Sequence, residues 1–323
     1  MTIPASFRPL PDGRPESPAR AVLLRGCAAA VGAALLPGPA AGRSTTERTT
    51  MQQRRIPSSG RLLPVIGCGT WQTFDVGRDA AAQAQRAEVL RVLFESGGSV
   101  IDSSPMYGSS EEVVGTLLAA AGSRERAFLA TKVWTRGREA GIAQMERSMA
   151  LLRTPHIELM QIHNLVNWRA HLPTLRAWKR EGRIGHLGIT HYTPSAHDEL
   201  AALIESEPLD FVQLDYAIND RAAEARLLPL AAGRGVAVLV NQPFGGGGLL
   251  RSLLGRPLPA WAGGIGCTSW AQLLLKFVLS HPAVTCVIPG TARPEHMREN
   301  ALAGSGEIPE RAFWQPRLAS LGF

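Results

Sequence analysis

The segment VIDSSPMYGSSEEVVGTLLAA, residues 100–120, contains one unit of the repeat that decides the fold. Its first three residues, Val100–Asp102, form a short apolar run typical of a buried strand. The stretch Ser110–Ala121 then has an apolar face at helical spacing, made by Val113, Val114, Leu117 and Leu118. Between strand and helix lie Asp102 and Tyr107, two side chains able to take part in proton transfer.

The same unit recurs along the chain. The predicted strands are Val65–Cys68, Val100–Asp102, Ala127–Lys132, Ile157–His163, His186–Thr190, Phe211–Leu214, Ala237–Asn241 and Val284–Pro289. The predicted helices are Ala80–Ser96, Ser110–Ala121, Gly141–Leu152, Leu172–Glu181, Ser195–Glu205, Arg221–Ala232, Trp270–Ser280 and Pro294–Ala303. Eight alternating pairs predict an α/β fold with a parallel sheet, closed as a (β/α)8 TIM barrel rather than left as an open doubly wound sheet.

Composition limits the function classes. The chain has 323 residues and 45% hydrophobic content, enough for one barrel domain over residues 56–323. The formal charge is +7, but residues 1–55 account for +5 of it and the barrel is nearly neutral, so nucleic-acid binding is not expected. The four cysteines form no CxxC pair and lie near no histidine at ligand spacing, so no metal site is predicted.

Residues 1–55 differ from the rest and are predicted to be either a leader or a disordered extension. Three arginines precede an apolar stretch from Ala21 to Leu36, and small residues follow it, which is the order of a secretory leader. Ala19–Leu24 is similar to a degenerate twin-arginine box, which favours a periplasmic location, with a cytoplasmic location as the alternative. Arg25 interrupts the apolar stretch, which is too short to span a membrane.

Four titratable side chains are expected to meet at the carboxyl ends of the strands, where barrels of this type place their active sites. Asp102, Lys132 and His163 end the second, third and fourth predicted strands, and Tyr107 follows the second. A lysine ammonium stabilises a phenolate and lowers its pKa, while an aspartate holds the lysine charged. This set predicts an acid able to protonate a developing alkoxide, with a hydride donor supplied separately.

Later strand ends offer places for that donor. Gln213 is predicted to pair with an amide and Tyr216 to provide a flat stacking face. The glycine run containing Gly245 and Gly247 allows close approach of a pyrophosphate. Thr291 and Arg293 precede the last predicted helix, whose N-terminus suits a phosphate. No GxGxxG follows the first strand, so a Rossmann-type site is not predicted.

These residues resemble the aldo/keto reductases over residues 56–303. The motifs that carry the resemblance are Gly67–Trp71, Ile101–Ser104, Tyr107–Glu111, Thr131–Lys132, Gln161–His163, Gln213–Tyr216, Val287–Thr291 and Glu299–Asn300. The resemblance implies that Tyr107 is the general acid, that Lys132 and Asp102 tune it, and that His163 orients the substrate carbonyl. It also implies hydride transfer from NADPH, with NADH as the alternative, to an aldehyde or ketone.

The resemblance carries over less completely to the cofactor residues. Thr190–His191 stands where the family usually has Ser-Asn, and Asn241 stands where many members have Ser or Tyr. Gly290 stands where many NADPH-dependent members have a lysine, and His296 stands where they have an arginine. Arg293 is therefore predicted to reach the 2′-phosphate of the cofactor instead. Glu299 and Asn300 are placed near the adenine.

Aromatic residues that follow strand ends are candidates for the walls of the substrate pocket. They are Trp71, Phe74, Trp134 and Trp168, of which Trp71 and Trp134 are the predicted substrate contacts. The expected partner is a small carbonyl compound, and the chain is expected to be a monomer. Two other functions stay open: a cofactor-binding regulatory subunit with negligible turnover, and a Schiff-base lyase that uses Lys132.

Overall fold

The computed structural model describes residues 50–323. The predicted leader, with its arginine box and apolar stretch, therefore lies outside the described residues. No helix within residues 50–323 has both the length and the apolar character needed to cross a bilayer. Within the same range, no group of three or more His, Cys, Asp or Glu side chains is arranged to hold a metal ion.

Ten strands and ten α-helices make up the described chain. The strands are β1 Gln53–Arg55, β2 Leu62–Pro64, β3 Cys68–Gly69, β4 Val100–Asp102, β5 Phe128–Val133, β6 Ile157–His163, β7 Ile184–Thr190, β8 Phe211–Asp215, β9 Ala237–Asn241 and β10 Val284–Val287. The helices are α1 Ala80–Glu95, α2 Ser110–Ala120, α3 Arg138–Leu151, α4 Trp168–Arg180, α5 His197–Ser206, α6 Leu227–Arg234, α7 Gly248–Ser252, α8 Trp270–Leu279, α9 Pro294–Ala303 and α10 Arg311–Leu321.

Strands β3 to β10 form one parallel sheet in sequence order. Parallel bridges from Ile66 to Val287 and from Gly69 to Gly290 join its first and last strands, so the sheet closes. The close approach explains the glycine at 69, since a Cβ there would lie 2.8 Å from the Ile288 carbonyl oxygen. The predicted (β/α)8 barrel is confirmed, and all eight strands point their carboxyl ends to one rim.

Two apolar layers stabilise the barrel. An inner cluster contains strand residues such as Phe128, Leu159 and Phe211, together with Ile56 and Leu63 from the β1–β2 hairpin. A larger cluster fills the space between strands and helices, where α8 is buried at every residue after Trp270. The hairpin therefore packs its apolar residues into the barrel interior.

The hairpin, α7 and α10 were not predicted. Strand β1 is only three residues long and begins before residue 56, where the sequence placed the start of the barrel domain. Its Arg54 guanidinium donates to the carbonyl oxygens of Leu279 and His281, at 2.6 and 3.1 Å. These tertiary contacts, rather than a local pattern, hold the hairpin in place.

Candidate active site

The four predicted catalytic side chains meet at the rim. Asp102 ends β4, Lys132 lies near the end of β5, His163 ends β6, and Tyr107 lies in the loop after β4. The Lys132 ammonium lies 5.1 Å from the centroid of the Tyr107 ring. The Tyr107 and His163 rings meet edge to face, with centroids 5.8 Å apart.

Asp102 and Lys132 form a fully buried ion pair. Lys132 Nζ donates to Asp102 Oδ2 at 2.6 Å and to the Ser103 carbonyl oxygen at 2.7 Å. The other carboxylate oxygen, Asp102 Oδ1, accepts from the side-chain amides of Gln161 and Gln213 at 3.1 and 2.9 Å. A buried charge is costly unless it is paired and hydrogen-bonded, and this arrangement supplies both kinds of partner to Asp102 and Lys132.

Burial and charge set the protonation states. Burial lowers the pKa of Lys132, but Asp102 and Tyr107 outweigh it and hold that pKa above its ordinary value. Burial raises the pKa of the Tyr107 phenol more than Lys132 lowers it. Lys132 thus acts on the Tyr107 pKa in the predicted direction, but burial, which the prediction did not include, outweighs it. At neutral pH the Lys132 side chain is therefore a protonated ammonium, and the Tyr107 phenol keeps its proton.

His163 is a neutral imidazole at the same face. Burial, assisted by the charge of Lys132, lowers the pKa of His163 to about 3. Its Nδ1 lies 3.0 Å from the hydroxyl oxygen of Ser104. At physiological pH the ring acts through hydrogen bonds rather than as a cation.

A cavity of about 890 Å³ opens above these groups. Of the four, Asp102, Tyr107 and His163 line it, while Lys132 lies beneath Tyr107 and is fully buried. The other predicted residues that line it are Trp71, Thr190, Gln213, Asn241, Gly247, Thr291, Glu299 and Asn300. A cavity of this size at the carboxyl ends of the strands fits a substrate and a cofactor together.

Three polar side chains form a hydrogen-bonded group on the cavity wall. Thr190 Oγ1 donates to Gln213 Oε1 at 3.1 Å, and Asn241 Nδ2 lies 3.4 Å from the same oxygen. The amide nitrogen of Gln213 is already bound to Asp102. Asn241 Oδ1 has no hydrogen-bond partner among the described residues. It is therefore a buried acceptor that stays unsatisfied beside the cavity.

Tyr216 does not provide the predicted stacking face. Its ring is fully buried against Phe277 and His281, and its hydroxyl donates to Glu224 at 2.5 Å. The segment after β8 thus turns this side chain into the core between β8 and α8. The stacking prediction for Tyr216 is wrong.

His191 does not line the cavity. Its Nδ1 accepts from the backbone N–H of Thr193 at 3.3 Å, and its ring stacks on Tyr192 with centroids 5.5 Å apart. Tyr192, which the sequence did not single out, lines the cavity instead. The contact predicted between His191 and a nicotinamide carboxamide is absent from this arrangement.

The glycine run forms part of the cavity wall. Gly245, Gly246 and Gly247 all have positive φ, at 54°, 60° and 85°, which other residues adopt with strain. Gly246 and Gly247 line the cavity, whereas Gly245 lies just outside it. The predicted loop is therefore present, and Gly247 lines the cavity as predicted, whereas Gly246 lines it in place of Gly245.

The basic side chains at the cavity differ from the prediction. Arg293 does not line the cavity; its guanidinium is exposed and lies 3.5 Å from Glu295. Arg256 and His296 line the cavity instead. The sequence showed His296 only as a replacement and gave no local signal for Arg256, which lies in the long connection between β9 and α8.

The aromatic walls are only partly as predicted. Trp71 lines the cavity and is half exposed, whereas Phe74, Trp134 and Trp168 do not line it. The backbone of Trp134 is bound on both sides to the Gln144 side chain of α3, at 2.6 and 3.2 Å, which holds this segment beside the helix. The prediction that Trp134 contacts substrate is therefore wrong for this structure.

Comparisons with known proteins agree on one family. A sequence profile of the Aldo/keto reductase family matches residues 65–314. Methylglyoxal reductase YeaE of Escherichia coli is 32% identical over 260 residues, which cover 78% of this chain and 89% of that protein.

Solved structures give the same result. An aldo-keto reductase from Klebsiella pneumoniae in complex with NADPH has a TM-score of 0.71 and 27% identity, over 84% of this chain and 95% of that one. A Klebsiella pneumoniae aldo/keto reductase in complex with NADP and acetate has a TM-score of 0.69 and 27% identity, over 81% and 92%.

Proposed function

Because the chain belongs to the aldo/keto reductase family, we propose that it is an NADPH-dependent oxidoreductase that reduces an aldehyde or ketone to an alcohol. The observation that carries the proposal is the buried Asp102–Lys132 pair directly beneath Tyr107, with neutral His163 beside it on one cavity. Bound NADPH supplies the hydride for the carbonyl carbon. The chain's own residues supply the proton and the orientation.

Tyr107 is the proposed general acid. Its phenol gives its proton to the carbonyl oxygen as that oxygen becomes an alkoxide, and solvent later returns a proton to the phenolate. The Lys132 ammonium, 5.1 Å from the ring centroid, offsets the negative charge left on the phenolate. Asp102 holds Lys132 in place and in its charged form.

The proposed cofactor contacts are assigned to polar side chains and backbone groups at the cavity wall. Asn241 Oδ1, buried and without a partner among the described residues, suits the amide N–H of a nicotinamide. The loop at Gly246 and Gly247 suits the pyrophosphate because it lines the cavity without side chains and so allows close approach, although the Gly247 N–H itself donates to the Phe244 carbonyl oxygen at 2.9 Å. Thr291, Glu299 and Asn300 line the region beyond β10 and are placed near the adenosine.

NADPH rather than NADH is proposed because an arginine lines the cavity. Arg256 lines the cavity with His296, and an arginine binds phosphate by charge-assisted hydrogen bonds. Arg256 thus replaces Arg293 in the proposed contact with the 2′-phosphate. The two Klebsiella pneumoniae structures hold NADP or NADPH, which supports this choice for the present chain.

Small aldehydes and ketones are the proposed substrates. Trp71 and Met106 line the cavity and are both more than 40% exposed, so they offer apolar surface to a ligand. Methylglyoxal is the first compound to test because of the similarity to the Escherichia coli methylglyoxal reductase.

The two alternative functions require different properties of the same residues. A Schiff-base lyase needs Lys132 as a neutral amine, but its raised pKa and its bond to Asp102 keep it an ammonium without a free electron pair. A regulatory subunit needs only a bound cofactor. No observed feature of the site favours that role, and turnover measurements separate it from a reductase.

A nucleotide titration followed by a turnover assay tests the proposed function. Purified protein is titrated with NADPH and NADH by fluorescence, and loss of NADPH absorbance is then followed after methylglyoxal is added. A reductase binds NADPH more tightly than NADH and oxidises it only when the carbonyl compound is present. Tight NADPH binding without turnover on any aldehyde in a panel would indicate the regulatory role.

Export and oligomeric state are separate predictions. Export through a twin-arginine route is motivated by the order of charge and apolar residues before residue 42. Sequencing the N-terminus of the mature protein tests it, and an intact Met1 on cytosolic protein would refute it. The expected monomer is checked by the molar mass measured in solution.

A further inference from the structure

The two ring nitrogens of His163 have different surroundings. Nδ1 faces the Ser104 hydroxyl at 3.0 Å, while the ring lines the cavity and Nε2 has no hydrogen-bond partner among residues 50–323. Because His163 is neutral, only one of its nitrogens bears a proton. Which nitrogen bears it decides whether the ring donates to a ligand or accepts from it.

Ser104 settles that choice through its own hydrogen bonds. The serine is completely buried, and its Oγ has two neighbours within hydrogen-bond distance, the backbone N–H of Met106 at 3.4 Å and His163 Nδ1 at 3.0 Å. The Met106 N–H can only donate, so it occupies a lone pair of the hydroxyl oxygen. Among residues 50–323, the hydroxyl proton then has one acceptor within reach, which is the lone pair of Nδ1.

The opposite arrangement leaves two groups unsatisfied. A proton on Nδ1 would give the Ser104 oxygen two donors and leave its hydroxyl proton buried without an acceptor, which is costly. It would also leave the lone pair of Nε2 facing the cavity, where it would repel a carbonyl oxygen. The first effect favours a proton on Nε2 in the protein itself, and the second concerns only a bound carbonyl compound.

We propose that Ser104 is a positioning residue that fixes His163 as the Nε2–H tautomer, so that His163 presents a hydrogen-bond donor to the substrate carbonyl oxygen. The backbone carbonyl of the same serine accepts from the Tyr107 N–H at 3.0 Å. Ser104 therefore sets the direction of the orienting donor with its side chain and supports the general acid with its backbone. The catalytic consequence rests on the proposed function, whereas the tautomer itself does not.

Nitrogen NMR of the histidine rings tests the proposal without any turnover. Protein labelled with ¹⁵N in its eight histidines is observed at neutral pH, and the His163 signals are assigned by their loss in His163→Gln. We expect the wild-type spectrum to show a protonated Nε2 and an unprotonated, hydrogen-bonded Nδ1. A wild-type ring protonated on Nδ1 would overturn the proposal, whether or not any variant folds.

Ser104→Ala removes the hydroxyl and Ser104→Thr keeps it. We expect the ratio of the Nε2–H to the Nδ1–H tautomer to fall about tenfold in Ser104→Ala, the change that matches the loss of one neutral hydrogen bond, and to be retained in Ser104→Thr. Ser148→Ala is the matched control, because Ser148 is equally buried but donates to Glu111 on another face. An unchanged ratio in Ser104→Ala would show that Ser104 does not set the tautomer.

Steady-state kinetics of Ser104→Ala test whether the tautomer of His163 matters for carbonyl reduction. In Ser104→Ala we expect a lower kcat for carbonyl reduction, with the Kd for NADPH unchanged. If the wild type has no reductase activity, the proposed function fails while the NMR result still decides the tautomer. A changed tautomer with an unchanged kcat would contradict the role of Ser104 in orienting the carbonyl.

Discussion

Asp75 and Ser109 join the loops that follow β3 and β4. One carboxylate oxygen of Asp75 accepts from both the backbone N–H and the hydroxyl of Ser109, at 2.8 Å each. Ser109 Oγ in turn accepts from the Gly77 N–H at 2.8 Å. Because Tyr107 lies two residues before Ser109, this contact fixes the loop that bears the proposed acid.

Gly108→Ala is expected to break this contact. Gly108 has a φ of 58°, and a Cβ there would lie 2.3 Å from Asp75 Oδ2, so the Asp75 carboxylate must move. We expect kcat to fall by roughly tenfold to a hundredfold, as misplacement of a reacting group does. Steady-state kinetics with a saturating carbonyl substrate measures it.

Gly122→Ala is the control, because Gly122 has a φ of 57° but nothing lies within 4 Å of its Cβ position. Both variants cost about 1–2 kcal/mol of stability from backbone strain, but only Gly108→Ala should lose activity. Equal kcat values in the two variants would show that the contact between Asp75 and Ser109 does not position Tyr107.

Lys132→Met is expected to destabilise the barrel. It leaves the Asp102 carboxylate buried without its cation, which costs about 3–5 kcal/mol in the free energy of unfolding. Urea denaturation measures this. Arg226→Met breaks the exposed ion pairs of Arg226 with Asp198 and Glu205 and should change stability by less than about 1 kcal/mol. If the two variants lost the same stability, the Asp102–Lys132 pair would not be desolvated as described.

His163 is expected to make the fold less stable in acid. Its folded pKa of about 3 lies below the unfolded value of about 6.5. The unfolded chain therefore binds more protons as pH falls from about 6.5 towards 3, and stability decreases across that window. Above about pH 6.5, His163 does not change the pH dependence of the free energy of unfolding.

His163→Gln should remove that contribution. Between pH 6.5 and 5 the variant should lose about 2 kcal/mol less than the wild type, at about 1.4 kcal/mol for each pH unit. The measurement is the free energy of unfolding in urea at both pH values. His186 and His281 also have pKa values lowered by burial, so the difference between the two proteins is the test. Identical losses would mean that His163 is not buried as a neutral ring.

Arg256 and Arg293 are expected to differ in cofactor binding. Arg256→Ala should raise the Kd for NADPH by roughly tenfold to a hundredfold, the worth of a charge-assisted hydrogen bond, and should hardly change the Kd for NADH. Arg293→Ala should leave both nearly unchanged, since its guanidinium is exposed and outside the cavity. Fluorescence titration gives the four values. A larger effect at Arg293 would restore the assignment made from the sequence.

The sequence predicted the parts of the structure that repeat. Strands such as Ile157–His163 were bounded correctly because a buried parallel strand is a continuous apolar run, and their order alone brings Asp102, Lys132 and His163 to one rim. The β1–β2 hairpin was missed because three-residue strands have too little pattern to be recognised.

The site was predicted less completely where the direction of a side chain decides whether the residue lines the cavity. Tyr216 and His191 were placed near the correct strand ends, but tertiary packing turned Tyr216 into the core and Thr193 held the ring of His191 aside. Arg256 was missed because it reaches the cavity from a long connection with no periodic pattern. The net direction of the Tyr107 pKa depended on burial, which the sequence does not show.

Single-turnover reduction by Tyr107→Phe tests the central claim most directly. Wild type, Tyr107→Phe and Tyr216→Phe are loaded with NADPH and mixed with methylglyoxal in a stopped-flow instrument. Tyr216→Phe is the matched control, because its hydroxyl is bound to Glu224 away from the cavity. We predict that Tyr107→Phe binds NADPH normally but oxidises it about 10²–10⁴ times more slowly, the range for loss of a general acid, while Tyr216→Phe keeps the wild-type rate. Wild-type oxidation by Tyr107→Phe would contradict the assignment of Tyr107 as the proton donor.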